Sequence, residues 1–361
     1  MRLSPWAPAA IDGAVASRRP ARDGTRVSLY AGLVAVLALV AAGCGGNEDD
    51  IPVTYRVVAP DNARVSPEVL GVLRGRLAAA GVEGAGVSAT GNDVVVSAAS
   101  GDPATRATIA ALTVAGNVAI YDWEAHVVGP DGHPGPADAK VTGGPAAGDE
   151  ASAISRYDAV LRAARAPADT AAQGTTTYWL VDDKSRRVLR GPASTRGQLA
   201  RGTRPARTRV VAVAPGRVIV RADGNANDRW YVLEDVPAMT GADIDTARPA
   251  RDEIVDEPTV LMTFTPRGQR SFKKLTRELA VRGRKAGRAG APDVEAHQHF
   301  AIVLDDRIIA TPYIDHRQNP EGIDAAVGSQ ISGGLTAREA ARVAGLIGSG
   351  PLPEQLVPSE K

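Results

Sequence analysis

One long apolar run, residues 27–43, ends immediately before Cys44, the only cysteine in the 361 residues. Four arginines lie between positions 18 and 26, just ahead of the run. Positive residues followed by an apolar segment and small residues are typical of a secretion signal. The sequence therefore predicts that the rest of the chain folds outside the cytoplasm, from short strands and helices and without a disulfide framework.

The end of this run, Ala-Ala-Gly-Cys at 41–44, resembles the lipobox of bacterial lipoproteins. We expect residues 1–44 to be a lipoprotein-type signal peptide, Cys44 to carry the lipid, and residues 45–51 to be a tether on the outer face of the cytoplasmic membrane. An uncleaved transmembrane anchor is the open alternative, because 17 residues lie at the short limit for spanning a bilayer. No later apolar run approaches 18 residues, so the body is expected to be soluble.

The charge balance bears on the class of partner. Residues 44–361 contain 37 basic and 39 acidic residues, so the body is nearly neutral. A nucleic-acid-binding domain normally carries a marked basic excess. Nucleic acid is therefore not an expected partner.

The first folded segment, residues 52–125, has the pattern of a small α+β domain. Apolar spacing and capping residues predict a strand at 53–58, a helix from Ser66 to Gly81, a hairpin around Gly91, a helix from Asp102 to 114, and a strand at 118–123. This β-α-β-β-α-β order predicts a ferredoxin-like base, in which two helices cover one face of a four-stranded antiparallel sheet.

The middle segment, residues 126–231, is irregular and rich in hairpin signals. We expect a loop at 127–148, a helix at 154–164, and two hairpins that pair 177–181 with 187–190 and 209–213 with 217–221. Residues 184–209 hold nine basic residues and no acidic one. Such a stretch either contacts anionic lipid headgroups or is a solvated face, and both readings stay open.

The last third has the clearest pattern. It predicts a strand at 259–264, a helix at 267–282, and a hairpin of 299–304 with 308–314 that turns at Asp305 and Asp306. A short strand is expected at 329–332. Thr336 and Glu339 have the spacing of a capping box, which predicts a helix from there to about residue 347.

Several patches in this region are similar, in order and spacing, to the periplasmic region of the SecD family, the accessory subunit of the Sec preprotein translocase. They are Phe-Ala-Ile-Val-Leu-Asp-Asp at 300–306, Pro312, Ile314, Ile-Ser-Gly-Gly-Leu-Thr at 331–336, Glu339-Ala340, Gly-Pro-Leu-Pro at 350–353, and upstream Met-Thr-Gly-Ala-Asp-Ile at 239–244. Fainter similarity lies at Arg76-Leu77 and Gly81-Val82. The positions that carry the family motif, with structural roles implied, are Thr240, Gly241, Asp305, Gly333, Thr336, Glu339, Leu352 and Pro353.

The resemblance implies an α+β architecture, with a ferredoxin-like base at 52–125 and a separate α+β head and carboxy-terminal helix at 232–361. It implies a role in protein export, with secreted preprotein as partner and with SecF or the SecYEG/SecDF complex as further partners. Without SecD's later membrane helices, the chain is expected to bind polypeptide but not to couple a proton flow to export. The alternative is a SecD-derived envelope lipoprotein with a scaffold or regulatory role.

The predicted polypeptide-binding surface is the hairpin at 300–314, either through a free strand edge or through apolar side chains. Those side chains are Phe300, Ile302, Leu304, Ile308, Ile309, Pro312 and Ile314. No catalytic residue, cofactor or metal is expected. His297 and His299 lack a third metal ligand nearby, and Ser271 with Lys274 lacks the companion motifs of penicillin-binding enzymes.

Overall fold

The computed structural model of the chain describes residues 53–57, 65–130, 132–134, 153–166, 175–200, 207–222, 229–252, 256–287, 296–331, 335–354 and 356–358. The signal, Cys44, the tether, Gly333 and most of the predicted loop at 127–148 lie outside the described residues.

The described residues form six helices and seventeen strands. The helices are α1 (Pro67–Ala79), α2 (Pro103–Leu112), α3 (Trp123–His126), α4 (Arg156–Arg165), α5 (Pro266–Ala286) and α6 (Ala337–Gly348). The strands are β1 (Val53–Val57), β2 (Gly86–Thr90), β3 (Asp93–Ser97), β4 (Val118–Asp122), β5 (Thr177–Asp182), β6 (Arg187–Ala193), β7 (Thr208–Val213), β8 (Arg217–Ala222), β9 (Arg229–Glu234), β10 (Met239–Thr240), β11 (Ile244–Arg251), β12 (Pro258–Phe264), β13 (Gln298–Leu304), β14 (Arg307–Ala310), β15 (Tyr313–Ile314), β16 (Ser329–Ile331) and β17 (Leu356–Pro358).

The chain divides into two compact units that are interleaved in sequence. The first unit contains the described residues of Val118–Ile244 and Thr263–Ser329, and the second contains those that precede Val118, those of Asp245–Met262, and those from Gln330 onward. The mixture of sheets and helices confirms the predicted α+β class. The division does not follow boundaries at 125 and 231, because both units are assembled from separate stretches of chain.

The four-stranded sheet of the second unit has the order β17-β1-β3-β2. β1 is antiparallel to both neighbours, with Tyr55 opposite Val94 of β3 and opposite Pro358 of β17. α1 begins as predicted, since the Ser66 hydroxyl accepts from the Val69 amide and Pro67 occupies the first turn.

One part of the predicted base is wrong. β4 does not join the sheet of β1, β2 and β3; it pairs with β10 and β13 in the first unit. The place beside β1 is taken by β17, which follows α6. β4 is buried at four of five positions, and its Tyr121 belongs to the core cluster around Trp123 in the first unit. The four strands of this sheet therefore do not come from one continuous β-α-β-β-α-β segment over 53–123, because the fourth strand is β17.

The first unit is built on a seven-stranded sheet with the order β10-β4-β13-β14-β8-β9, to which β15 adds by pairing with β13. Alternation along β9 gives the sheet two apolar faces. Trp230 and Val232 belong to a core shared with α4 and the sheet β6-β5-β7, whereas Tyr231 and Leu233 belong to a second core around Trp123.

The predicted hairpin of 177–181 with 187–190 is confirmed as β5 and β6. The predicted hairpin of 209–213 with 217–221 is wrong. β7 pairs with β5, and β8 pairs with β9 and, in parallel, with β14. The two strands are connected through the turn at Pro215 and Gly216 (φ +91°) but belong to different sheets. Val211 of β7 and Ile219 of β8 contribute to the same core under α4, one from each sheet.

Candidate functional site

The hairpin that the sequence singles out lies in the interior of the seven-stranded sheet. β13 is hydrogen-bonded to β4 on one side and to β14 on the other, with Ile302 opposite both Ile120 and Ala310. A strand with two partners has no free edge to which a polypeptide could add. The turn itself is as predicted, with Asp305 in the left-handed region (φ +57°).

The apolar side chains of this hairpin form the core. The exposed fraction is 1% for Phe300 and Ile314, 2% for Ile302, and 8% for Leu304 and Ile308. Pro312 is also buried, and Ile309 is half-buried. The hairpin therefore does not present these side chains as an apolar surface, because they pack against the rest of the unit. Contact of polypeptide with another part of the hairpin stays a prediction.

Phe300 shows how firmly the hairpin is packed. Its ring meets the ring of Phe272 on α5 edge-on at 5.8 Å, and Phe272 stacks on Phe264 at 5.2 Å. Aromatic pairs at these separations add to the stabilisation that burial gives. The Phe300 amide also donates to the carbonyl oxygen of Pro312 at 3.0 Å, which closes the interruption between β14 and β15.

The two histidines considered as metal ligands have other contacts. The Nδ1 of His299 lies 2.7 Å from Oε1 of Glu124, and the His299 amide donates to Oε2 of Glu124 at 2.8 Å. His297 stacks on Tyr313 at 4.1 Å. The described residues contain no group of three or more His, Cys, Asp or Glu side chains arranged to hold a metal ion.

The family-motif residues Thr240 and Gly241 form a tight junction with α5. They open a short 3-10 turn in which Asp243 and Thr240 make a capping box. The amide of Thr265, which caps α5, donates to the carbonyl oxygen of Asp243 at 3.0 Å. A Cβ at Gly268 would lie 2.0 Å from that oxygen, so this contact requires glycine at 268.

In the second unit, Thr336 and Glu339 lie at the start of α6, and Leu352 and Pro353 follow its end. The capping box of Thr336 and Glu339 is confirmed, with the Thr336 hydroxyl accepting from the Glu339 amide. The Leu352 amide donates to the carbonyl oxygen of Ala115 at 2.7 Å, and Pro353 follows it on the exposed side.

Arg76 of α1 is the fully buried centre of this region, and sequence patterning alone did not indicate its contacts. Its guanidinium donates to the carbonyl oxygens of Leu112, Val114, Ala115 and Gly350 at 2.5–2.9 Å. These oxygens lie at and beyond the ends of α2 and α6, where carbonyls lack helical partners. The buried guanidinium therefore connects α1 to the segments that follow α2 and α6.

A free strand edge does occur in the first unit, at β7. In the sheet β6-β5-β7, β7 pairs with β5 on one side, and no other described strand pairs with it. Val211 and Val213 are buried, whereas Arg209 on the same face and Ala212 on the opposite face are exposed. In the described part of the chain, β7 thus has one side with which no strand pairs, and an extended chain can add to an edge of this kind.

The opposite edge, β6, is less open. It contains Pro192, which has no amide hydrogen to donate. The Arg190 side chain bonds the carbonyl oxygen of Leu199 in the short turn that follows. Of the two edge strands of this sheet, β7 therefore offers the clearer site for strand addition.

A hydrogen-bonded bridge through Asp183 connects β7 to α4. Arg209 donates to Asp183 at 2.7 Å, and the Tyr157 hydroxyl donates to the other carboxylate oxygen at 2.6 Å. The hydrogen bond from Arg209, and then that from Tyr157, lower the pKa of Asp183. The hydrogen bond to Asp183 likewise raises the pKa of Tyr157, so this bridge stays intact around neutral pH.

A family model described as "SecDF, P1 head subdomain" matches residues 217–354, which contain α5, the hairpin and α6. The chain thus contains a region similar to the head subdomain of the SecD family. The resemblance seen in the sequence is confirmed over this region. The matched range includes both capping boxes described above, at 240–243 and at 336–339.

Relatives of known name match the same family. The protein translocase subunit SecD of Rhodobacter capsulatus is 32% identical over 142 residues, which are 39% of this chain and 21% of the relative. The protein translocase subunit SecDF of Thermus thermophilus is 33% identical over 124 residues, 34% of this chain and 14% of the relative. The chain thus spans at most about a fifth of the length of these SecD relatives.

Solved structures of SecDF are also similar. One, described as a membrane component that enhances protein export, is 18% identical, with a TM-score of 0.40; the match covers 86% of this chain and 99% of that chain. SecDF in its super-membrane-facing form gives a TM-score of 0.42 at 18% identity and covers 86% of this chain and 30% of that one.

Proposed function

We propose that this protein is an extracytoplasmic accessory of Sec-dependent protein export, which binds polypeptide as it emerges from the membrane. The observation that carries the proposal is the match of residues 217–354 to the head subdomain of SecDF. Its relatives are named as translocase subunits, which makes a secreted preprotein and the Sec translocon the partners to test.

We place polypeptide binding at the free edge of β7 rather than at the buried hairpin. An extended chain added to β7 would gain main-chain hydrogen bonds whatever its sequence, as a carrier of many clients requires. The exposed Ala212 lies on the face of this strand opposite Val211 and Val213. The bridge from Tyr157 through Asp183 to Arg209 supports the proposal, because a rigid edge loses less entropy on pairing.

The anchor is a separate part of the proposal. Cys44 follows an apolar run and small residues, which supports lipidation and a site of action on the outer face of the cytoplasmic membrane. In the part of the chain that the structure describes, no helix has the length and hydropathy that crossing a bilayer needs. Replacing Cys44 by Ala should release the protein from a lipid anchor, whereas an uncleaved apolar anchor would keep the variant in the membrane fraction.

Site-specific photocrosslinking tests the binding site. A photoreactive residue at position 212 should crosslink to a secreted polypeptide arrested during export, and the same residue at exposed Glu68 on α1 serves as the matched control. The crosslink should disappear when no client is being exported. Equal labelling at both positions, or labelling at 212 that ignores the arrested client, would remove the support for β7.

Secretion itself tests the export role. Deleting the gene from a strain with intact Sec machinery should slow secretion of at least one client. Unchanged secretion together with copurified envelope proteins would instead favour the scaffold or regulatory alternative.

A further inference from the structure

A second feature of the first unit, distinct from the β7 edge, is the positive charge of α5. The 21 residues of this helix include eight arginines and lysines and one acidic residue, Glu278. Residues 44–361 as a whole are nearly neutral. Seven of the basic residues are exposed and recur at helical spacings, so they share one side of the helix, called here the basic face. They are Arg267, Arg270, Lys273, Lys274, Arg277, Arg284 and Lys285.

The opposite side of α5 fixes the direction in which the basic face points. Phe272, Leu275 and Leu279 are each at most 2% exposed. The Phe272 ring contacts the rings of Phe264 and Phe300, which anchors the helix to two strands of the same unit. Because this side is packed in the core, the basic face is directed to solvent. At 1.5 Å per residue, α5 extends it over about 30 Å.

The stability of the helix does not explain these charges. The first turn of α5 contains no acidic residue, whereas α6 begins with Glu339 in its capping box. The amino-terminal end of a helix favours negative side chains, so Arg267 and Arg270 are unfavourably placed there. Like charges four positions apart, such as Arg270 and Lys274, also repel each other. A helix selected for stability alone would therefore not carry this set of side chains.

Carboxylates neutralise the basic face only in part. Arg270, Arg284 and Lys285 pair with no carboxylate in the part of the chain that the structure describes. Exposed pairs with nitrogen–oxygen distances of 3.4–4.0 Å contribute little in water. Three are of this kind: Lys273 with Asp324, Lys274 with Glu278, and Arg277 with Glu321. The closer pairs are Arg267 with Asp243 at 2.7 Å and Arg282 with Asp122 at 2.5 Å.

We propose that the basic face of α5 lies against a membrane surface that contains anionic phospholipid. A straight row of charges about 30 Å long suits a flat surface whose lipids can move to meet it, whereas a compact acidic protein patch would meet only part of the row. Val281 is the one apolar residue between these charges and is half-buried, so the contact is electrostatic and does not insert into the bilayer.

The range of this attraction makes the membrane anchor necessary. The attraction of basic residues to anionic lipid adds up along the row but falls off within a Debye length, about 8 Å at physiological salt. The inference therefore rests on the anchor in the proposed function, which keeps the first unit near the bilayer. The basic face would then orient an anchored protein rather than recruit it from solution.

Acetylation of lysines tests the contact, because three of the six lysines in the chain lie on the basic face. The full chain is attached to preformed phosphatidylcholine vesicles, with or without phosphatidylglycerol, and the acetylation rate of each lysine is measured by mass spectrometry. Phosphatidylglycerol should slow the labelling of Lys274 and Lys285 by about fivefold or more, as the attraction of even one basic residue to anionic lipid implies. Added salt should reverse the effect. Lys184, exposed between β5 and β6 of the same unit, should react equally with both vesicles.

Paired substitutions test whether the face itself is responsible. Arg270→Gln combined with Arg284→Gln removes two of the unpaired charges at exposed positions, and the protection of Lys274 should be lost. Arg187→Gln combined with Arg338→Gln removes the same charge from exposed positions outside α5 and should leave the protection unchanged. The proposal is overturned if the two double variants behave alike, or if phosphatidylglycerol protects no lysine of α5.

Two further outcomes would also overturn the proposal. Equal protection of Lys184 and Lys274 would show that the contact does not belong to α5. Protection of Lys274 by soluble polyglutamate but not by the vesicles would assign the basic face to an acidic polypeptide. Cosedimentation with phosphatidylcholine vesicles alone reports the anchor, so a failure of the anchor is distinguished from a failure of the contact.

Discussion

Arg76 and Gly350 are separated by 274 positions in sequence, yet the guanidinium of Arg76 donates to the carbonyl oxygen of Gly350 at 2.8 Å. The same side chain reaches Ser349 Oγ at 3.0 Å and the carbonyls that follow α2. One buried arginine thus joins the first helix of the second unit to the segment that leads into β17. The sheet order β17-β1-β3-β2 depends on that segment returning to β1.

Replacing Arg76 by Lys should therefore destabilise the second unit. A lysine ammonium cannot reach the carbonyl oxygens of Leu112, Ala115 and Gly350 together. Several buried acceptors would lose their donors, and we expect a loss of about 3 kcal/mol in the free energy of unfolding, measured by urea titration with circular dichroism. The matched control is Arg74→Lys, since Arg74 is exposed on the same helix. An Arg76→Lys variant as stable as Arg74→Lys would contradict the assigned role.

The close approach of Gly268 to Asp243 gives a second prediction. A methyl group at 268 would lie 2.0 Å from the Asp243 carbonyl oxygen, so α5 would have to move away from the 3-10 turn. Gly268→Ala should cost about 1–3 kcal/mol, as overpacking does. Trp123, Trp179 and Trp230 lie in the same unit, so tryptophan fluorescence during urea unfolding reports the change.

Gly75→Ala is the control for that experiment, and because Gly75 lies in the second unit, its unfolding in urea is followed by circular dichroism. Gly75 lies in the interior of α1, and a Cβ there would have nothing within 4 Å. Alanine should stabilise the helix by about 0.5–1 kcal/mol. If both substitutions changed the free energy of unfolding in the same direction, the close contact between Gly268 and Asp243 would not be what excludes alanine at 268.

The sequence predicted most individual elements because their signals are local. Ser66 with Pro67, and Thr336 with Glu339, mark helix starts within four residues, and both helices begin there. Pairing between distant strands has no such signal. By sequence order, β4 is the expected fourth strand of a ferredoxin-like sheet. In the structure the distant β17 takes the place beside β1, and β4 lies in the other unit.

The candidate sites were harder to predict for the same reason. Apolar alternation in β13 identified a strand correctly but could not tell an edge strand from a central one, so buried Phe300 and Ile302 were assigned to a binding surface. The open edge of β7 was missed as well, because residues 209–213 were expected to pair with 217–221, whereas β7 pairs with β5 and β8 pairs with β9.

Asp102 provides a prediction about pH. Hydrogen bonds from the Thr105 hydroxyl and amide, and from Ser100, lower its pKa well below the ordinary 3.8. Because the folded-state pKa is depressed, its contribution to stability is complete above the unfolded value and is lost as pH falls below about 4 toward the folded value. In Asp102→Asn, the side-chain oxygen can still accept the hydrogen bonds that cap the helix, but the side chain does not titrate.

The melting temperatures of wild type and Asp102→Asn, compared from pH 7 to pH 2.5, test this linkage. The advantage of the wild type should be constant above about pH 5 and should shrink below about pH 4. A difference that stays constant across the whole range would show that the Asp102 carboxylate does not lose its bonds by protonation.

The hairpin at 298–314 gives the last prediction, which separates packing from binding. Ile302 is 2% exposed at the centre of the sheet, whereas Ile309 is half-buried on the next strand. Ile302→Ala should lower the free energy of unfolding by about 2–5 kcal/mol, as truncation in a core does. Ile309→Ala should cost clearly less, because fewer of its atoms leave water on folding. If Ile302→Ala instead left stability unchanged and weakened crosslinking to an exported polypeptide, the hairpin would open in solution and its apolar residues would be the binding surface after all.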